Sequence, residues 1–263
     1  MLVGQPILRA QASTPGPQIQ RVVGAHVTSV EPQGKHMLIE FDNGLVLHTH
    51  LRMSGTWHRY APGERWRIAA WKARVVLEVP GHVVVCFNAP VAELMPARAT
   101  ALHPALASLG PDLISPDFDA DEAFNRLRAG ADVEIAEALL DQRVMAGIGN
   151  VFKSETLFIE RINPWTHVSS LADVQLQKLI ATAHRLLLEN ATPGRPGRVT
   201  TRGDPLARGN EYVYGRAHKP CARCGTPIRV QRQGALNRST YWCPRCQPLT
   251  SPTAREVPRT AGR

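Results

Sequence analysis

The chain has 263 residues, of which 43% are hydrophobic and 20% are charged, values that fit a folded globular protein and exclude collagen, a coiled coil or global disorder. Its basic residues exceed its acidic ones, and the excess lies at one end, because residues 211–263 hold ten Lys and Arg against two acids. A basic end on a nearly neutral body favours a polyanionic partner, and without the roughly 18 consecutive apolar residues of a membrane span we expect a soluble, cytoplasmic protein.

The first third of the sequence predicts short β-strands. Runs rich in Val, Ile and Leu are separated by turn signals such as Asn43-Gly44 and Pro80-Gly81. The predicted strands are Val23–Val30, Lys35–Phe41, Leu45–Leu51, Ala73–Val79 and Val83–Phe87. Short strands joined by tight turns favour an antiparallel sandwich or barrel. Cys86, within the last strand, is expected to be a buried and unreactive thiol.

After Pro116 the spacing of apolar residues becomes helical. The predicted helices are Glu122–Leu127, Ile135–Gln142, Val151–Ile159 and Val174–Glu189. Between the second and third, Gly147 and Gly149 permit sharp turns, and Asn150 is suited to cap the helix that follows. Residues 191–210 are rich in Gly, Pro and Arg and predict a basic loop, and residues 249–263 predict a disordered tail.

Four of the five cysteines form two pairs with metal-ligand spacing. Cys221 and Cys224 are separated by two residues, as are Cys243 and Cys246, and 18 residues lie between the pairs. Two such pairs can surround one zinc ion tetrahedrally, and four sulfur ligands leave no position for water. One structural Zn²⁺ per chain is therefore predicted, and disulfides are disfavoured in a chain without a secretory signal.

Five motifs occur in a characteristic order. They are Gly34-Lys35-His36-Met37-Leu38, His50-Leu51-Arg52-Met53-Ser54-Gly55, Leu109-Gly110-Pro111-Asp112-Leu113, Leu140-Asp141-Gln142-Arg143 leading to Gly147-Ile148-Gly149-Asn150, and the segment from Arg238 to Cys243-Pro244-Arg245-Cys246-Gln247. Together they resemble the formamidopyrimidine-DNA glycosylase and endonuclease VIII family of base-excision repair enzymes, from about residue 20 to residue 247. The chain looks closer to endonuclease VIII, because Phe87-Asn88-Ala89-Pro90-Val91 does not look like the Arg/Phe wedge loop of the other branch.

The resemblance implies an α+β protein with several parts. These are an N-terminal antiparallel β-sandwich (residues 1–115), a helix-two-turns-helix domain (116–210), a four-cysteine zinc β-hairpin (211–248) and the tail (249–263). It also implies a monomer that binds damaged DNA between its two halves. Such an enzyme removes oxidised bases, pyrimidines in the endonuclease VIII branch, and nicks the strand at the abasic site by β,δ-elimination.

The same resemblance assigns roles to five residues. Lys35 and Arg238 match the family's contacts to the phosphate beside the lesion, and Asn150 matches a third contact there. Because the damaged nucleotide must leave the base stack, a side chain has to fill the hole, and Met53 matches that void-filling residue. Arg52 could support the orphaned partner base.

The start of the chain departs from the family's pattern. In the family, the strand-cleaving nucleophile is the amine of an N-terminal proline, followed by a glutamate that handles protons. This chain begins Met1-Leu2, without Pro-Glu or an opening helix, and Pro6 is no substitute because an internal proline nitrogen is an amide. We expect the native product to begin upstream. The alternatives are a non-catalytic protein that binds damaged DNA and a zinc-ribbon nucleic-acid adaptor.

Overall fold

The computed structural model describes residues 2–52, 54–191, 201 and 211–249. The chain divides into two compact units, Met1–Leu109 and Gly110–Arg263. The strands are β1 (Arg9–Ala12), β2 (Val27–Gln33), β3 (His36–Phe41), β4 (Leu45–His50), β5 (Thr56–Tyr60), β6 (Ala73–Val79), β7 (His82–Phe87), β8 (Val91–Pro96), β9 (Arg229–Gln233) and β10 (Arg238–Trp242). The α-helices are α1 (Ala97–Thr100), α2 (Pro104–Ala107), α3 (Ala120–Ala129), α4 (Ile135–Ala138), α5 (Asn150–Ile159) and α6 (Asp173–Ala191).

The N-terminal unit is built from two four-stranded antiparallel sheets. Their strand orders are β1-β6-β7-β5 and β2-β3-β4-β8. One apolar core joins the sheets, with Leu77 and Cys86 from the first meeting Ile39 and Leu47 from the second. This confirms the predicted antiparallel sandwich. Burial raises the pKa of Cys86 to about 12, which agrees with the prediction of an unreactive thiol.

Three strands of the sandwich were not predicted from the sequence. β1 has only four residues, and β5 and β8 carry polar or charged side chains that interrupt their apolar pattern. Each is nevertheless paired along its length, β1 with β6, β5 with β7 and β8 with β4. Backbone hydrogen bonds to a neighbouring strand hold segments whose own composition gives a weak signal.

The C-terminal unit packs its helices around a second core. Leu127 of α3, Leu157 of α5 and Leu179 of α6 all contribute fully buried side chains. Asp119 caps α3, accepting a hydrogen bond from the Glu122 amide at 2.8 Å. None of the helices in the described part of the chain combines the length and apolarity that a membrane crossing requires.

One helix is shorter than its sequence pattern predicts. The segment Ile135–Gln142 was expected to be helical throughout, but α4 ends at Ala138. Gln142 uses its side chain to hold the following turns, donating to the carbonyl oxygens of Leu140 at 2.9 Å and Ile148 at 3.1 Å. The apolar residues of this segment are therefore buried partly in the short helix and partly in the turn that follows it. The predicted loop 191–210 and tail 249–263 lie, except for residues 191, 201 and 249, outside the described residues.

The core of the sandwich can be tested by shortening one buried side chain. Leu77 is fully buried between the sheets, so Leu77→Ala should lower the free energy of unfolding by about 2–5 kcal/mol through lost contacts and a cavity. Leu8 is 54% exposed, and the control Leu8→Ala should change it by less than about 0.5 kcal/mol. Urea unfolding followed by circular dichroism measures both, and equal midpoints for the two variants would contradict the assignment.

Candidate metal centre and nucleic-acid interface

The four paired cysteines converge at one end of the β9–β10 hairpin. Their sulfur atoms all lie within 4.8 Å of one another. The Cys224 and Cys243 sulfurs are 3.5 Å apart, and those of Cys221 and Cys246 are 3.9 Å apart. Four sulfurs at 2.3 Å from a tetrahedral zinc ion are separated by about 3.8 Å. All five cysteines fall within the described residues, none forms a disulfide there, and the four-sulfur set fits Zn²⁺.

The backbone around each pair is shaped by short turns. The Cys221 amide donates to the Thr226 carbonyl at 2.9 Å, and the Gly225 amide donates to the Cys221 carbonyl at the same distance. Gly225 has a φ of +77°, a conformation that glycine adopts without a steric cost. Backbone amides also point at sulfur, from Arg223 to Cys221 and from Cys246 to Cys243. These donors stabilise thiolate ligands.

The charge of the cluster also fits a bound cation. Hydrogen bonds from Thr226 lower the pKa of Cys224 to about 6, whereas burial raises that of Cys246 to about 12. Four thiolates this close repel one another, and a divalent ion among them would hold all four in the deprotonated form. The set therefore matches a structural zinc site with every coordination position taken by sulfur.

Two polar contacts hold the zinc hairpin against α5. The Asn150 amide nitrogen donates to the Ser239 carbonyl at 2.7 Å, and Lys153 Nζ donates to Thr240 Oγ1 at 2.7 Å. Thr240 Oγ1 in turn donates to Gln233 Oε1 at 2.8 Å. Lys153 and Thr240 are almost fully buried, and a buried polar group without a partner would cost free energy. The hairpin is thus fixed in one position on the helix.

The role predicted for Asn150 as a side-chain helix cap is wrong. α5 begins at Asn150 with Gly149 in the cap position, and no side chain caps the helix. The amide nitrogen of Asn150 instead donates a hydrogen bond to the hairpin, and its Oδ1 is buried without a hydrogen-bond partner among the described residues. The side chain therefore joins the two turns before α5 to β10.

Glycines and one glutamine shape the two turns before α5. The Gly147 amide donates to Gln142 Oε1 at 3.1 Å, and Gly147 has a φ of +107°. The Gly110 amide donates to the Gln142 carbonyl at 2.8 Å, and a Cβ on Gly110 would lie 2.5 Å from the Val144 carbonyl oxygen. Two of the sequence motifs, around Gly110 and around Gln142, are therefore one packed structure that sets the position of Asn150.

Arg238 opens β10, next to the residue that Asn150 contacts. It is half-buried and borders a cavity of about 720 Å³ that also touches Glu137, Arg143 and Leu236. Burial, with a contribution from the charge of Arg238, lowers the pKa of Lys153 to about 8. Two cations thus lie close to the beginning of α5, where the free amides of the first turn also favour an anion.

The other predicted contact residues lie in the N-terminal unit. Gly34 and Lys35 form the two-residue turn between β2 and β3, since Gln33 pairs with His36. Gly34 has a φ of +60°, as a type II′ turn requires at its first central position. Lys35 was expected to begin a strand, but it lies in this turn, one residue before β3.

A second tight turn carries Arg52. The Gly55 amide donates to the Leu51 carbonyl at 2.8 Å, and a Cβ on Gly55 would lie 2.7 Å from Leu51 Cα. Arg52 is exposed with a φ of +47°, and Met53 lies outside the described residues. Burial, and then the charge of Arg52, lower the pKa of His50.

One cluster of titratable side chains is not predicted by the sequence motifs. His36, His48, His103 and Glu93 form a connected cluster in the N-terminal unit. Only the alternation of His48 and His50 along one strand hinted at it, because the remaining members come from distant parts of the sequence.

The comparisons with known proteins cover the chain almost completely. The formamidopyrimidine-DNA glycosylase N-terminal domain matches residues 2–90, the H2TH domain of the same glycosylase matches residues 109–199, and the zinc finger found in FPG and IleRS matches residues 219–249. A Streptomyces coelicolor protein named "Probable endonuclease 8 2" is 41% identical over 267 residues, which cover 100% of this chain and 91% of the relative. The chain belongs to the formamidopyrimidine-DNA glycosylase and endonuclease VIII family.

Other members of the family agree in length and fold. The "DNA-(apurinic or apyrimidinic site) lyase Nei2" of Mycolicibacterium smegmatis is 37% identical, over 94% of this chain and 92% of its own. A crystal structure of Lactococcus lactis formamidopyrimidine-DNA glycosylase bound to DNA with an abasic site shares the fold, with a TM-score of 0.76, 21% identity and 94% of each chain covered.

The metal site predicts different zinc contents for two variants of the zinc hairpin. Cys243→Ser removes one of four ligands and should lower the zinc content to well below one ion per chain and unfold the hairpin. Arg238→Ala should keep the metal, because the arginine is not a ligand. Zinc measured by atomic emission after gel filtration tests both, and full retention of zinc in the Cys243 variant would contradict the site.

Lys153 predicts a specific pH dependence of stability. Its pKa is about 8 in the folded chain and has the ordinary value of 10.5 when unfolded, so the unfolded state binds more protons between those values. The free energy of unfolding should therefore rise with pH across that window, by up to about 1.4 kcal/mol per unit. In Lys153→Met this rise should vanish, whereas Lys178→Met, at an exposed position on α6, should keep it. Urea unfolding at several pH values gives the answer, and parallel profiles for wild type and Lys153→Met would refute it.

Proposed function

We propose that this chain binds damaged DNA as an endonuclease VIII-type DNA glycosylase with abasic-site lyase activity. The observation that carries the proposal is the 2.7 Å hydrogen bond from Asn150 to the Ser239 carbonyl. It keeps Arg238 and the beginning of α5 side by side, and both offer donors to one phosphate group. Family membership of the whole chain disfavours the zinc-ribbon adaptor, which would explain only the cysteines and the basic C-terminal end.

The donors suit a phosphate for specific reasons. Asn150 Oδ1 is an acceptor and cannot bind an anion, but the amide nitrogen has a second hydrogen beyond the one it gives to Ser239. The first-turn amides of α5 have no partners within the helix, and their dipoles favour negative charge. Arg238 adds a guanidinium fork that matches two phosphate oxygens. Zinc and the α5 contacts hold the backbone from which Arg238 projects.

The N-terminal unit supplies the remaining contacts in this proposal. Lys35 reaches a phosphate from the tight β2–β3 turn, where the paired strands fix its backbone. Arg52 and Met53 enter the duplex when the damaged nucleotide leaves the stack, and Gly55 sets the turn from which Arg52 projects. An unbranched thioether such as that of Met53 suits insertion between bases.

The connection between β7 and β8 supports a proposal for the substrate class. Only Asn88, Ala89 and Pro90 separate these strands, and Ala89 is buried. A link this short offers little room for a wedge of the kind that the formamidopyrimidine branch inserts. We infer oxidised pyrimidines as the preferred bases, acted on by a cytoplasmic monomer.

The lyase step needs a free secondary amine. Attack of such an amine on C1′ of an abasic sugar releases water and forms an iminium ion, which withdraws electrons and permits elimination of the phosphates. The family places this amine on an N-terminal proline, and residue 2 of the printed sequence is leucine. Binding and strand scission are therefore tested separately.

Binding is tested with duplex DNA that contains a tetrahydrofuran abasic analogue. Arg238→Ala should weaken binding about tenfold and reduce the slope of log affinity against log salt by about one, because one phosphate contact is lost. The control Arg229→Ala removes an exposed arginine from the adjacent strand β9 and should change affinity much less. Fluorescence anisotropy measures both, and equal wild-type affinity for intact and abasic duplex would refute the proposal.

Strand scission is tested by borohydride trapping on DNA with a natural abasic site. The chain that begins at Met1 is compared with a variant whose N-terminus is a free proline followed by glutamate. We expect a covalent adduct only where that secondary amine is present. If neither chain forms an adduct while lesion binding persists, the protein recognises damage without cutting DNA.

A further inference from the structure

A cluster of imidazole and carboxylate groups in the N-terminal unit lies outside the residues assigned to DNA. His48 on β4 is directly opposite Glu93 on β8, since the two are register partners. His103 immediately precedes α2 and reaches the same carboxylate. Three separate segments therefore deliver metal-binding side chains to one point of the sandwich.

The three donor atoms have the spacing of metal ligands. Glu93 Oε2 lies 3.3 Å from His48 Nδ1 and 3.0 Å from His103 Nε2, and all three atoms lie within 4.8 Å of one another. Nitrogen and oxygen ligands at 2.0–2.1 Å from a tetrahedral ion are about 3.3–3.4 Å apart. Small side-chain movements would admit one ion between them.

The surroundings orient the ligands as they do in metal sites. His48 is 1% exposed, and its second ring nitrogen, Nε2, is 2.7 Å from Nδ1 of His36 on β3. A metal-bound histidine commonly donates its other ring hydrogen to a hydrogen-bond acceptor, which fixes the ring, and His36 Nδ1 can accept that hydrogen. In His103, Nδ1 is buried without a partner among the described residues. The polar contact of that ring is therefore made by Nε2.

We propose that His48, Glu93 and His103 bind a divalent transition-metal ion of the zinc class, as a second metal site distinct from the four cysteines. Two imidazoles and one carboxylate suit Zn²⁺, Co²⁺ or Ni²⁺, whereas Ca²⁺ and Mg²⁺ require oxygen ligands. The Glu93 side chain is 49% exposed and that of His103 is 22% exposed, so an ion can enter from solvent. Three protein ligands leave a position for water, and the ion is exchangeable.

The consequence of binding follows from the segments that the ion joins. It links β4, β8 and the segment after α1, and so stabilises the folded N-terminal unit by mass action. His36 couples the site to the β2–β3 turn, because its neighbour in sequence is Lys35. Metal loading would restrict the end of the hairpin that holds that lysine.

The test counts metal ions in protein whose four-cysteine site is already loaded with zinc. Titration with Zn²⁺ in a calorimeter should reveal one further ion per chain, and Co²⁺ should give visible bands without the sulfur charge-transfer absorption of a thiolate site. His103→Gln and Glu93→Gln should each abolish the second ion and the rise in melting temperature that Zn²⁺ causes in the wild type. Both positions are partly exposed, so folding of the variants is expected. The matched control His82→Gln, on the other sheet at the start of β7, should bind two ions.

Each outcome decides the proposal. Loss of the second ion in both variants with retention in the control supports it. A wild type that binds only the cysteine-site zinc overturns it and leaves the cluster as a chain of hydrogen bonds. A second ion that persists in either variant also overturns it, because the substituted residue is then not a required ligand. Lesion binding is measured independently, so failure here leaves the proposed function unaffected.

Discussion

The contact between α5 and the β9–β10 hairpin is the constraint on which the C-terminal unit depends. Asn150 and Lys153 are three residues apart on the helix and bind the consecutive hairpin residues Ser239 and Thr240. Because Lys153 and Thr240 are buried, their hydrogen bond costs more to break than an exposed one would. The side chain of Arg238 starts from the strand that these bonds immobilise.

The hairpin is too small to be stabilised by buried apolar surface alone, and zinc and buried polar groups stabilise it instead. The fully buried Glu155 carboxylate accepts hydrogen bonds from the amides of Tyr212, Val213 and Tyr214. Gln247, just after the last cysteine, accepts from the Cys243 amide at 3.0 Å and donates to a carbonyl of the helical layer. The metal would hold the two cysteine pairs together, and the contacts with α5 fix the hairpin to the rest of the unit.

The sandwich uses a different strategy for its polar residues. Its core is apolar, and its charged and titratable side chains lie elsewhere. Lys35 and Arg52 lie in turns, and His48 and Glu93 lie on the paired strands β4 and β8. Strand pairing fixes the backbones at or beside these positions, and the side chains of Arg52 and Glu93 remain accessible whereas His48 is buried. Such positions combine rigidity with access to a ligand.

The sequence by itself determined the features that are local. The cysteine pairs identified the zinc ligands, the glycines at 44, 81 and 147 marked real turns, and the order of the motifs indicated the family. Tertiary structure decided the rest, because the partners are distant in the chain. Asn150 binds a residue 89 positions away instead of capping its helix, and His48 meets a glutamate 45 positions away. Those pairings depend on how the strands and helices pack, which no local pattern encodes.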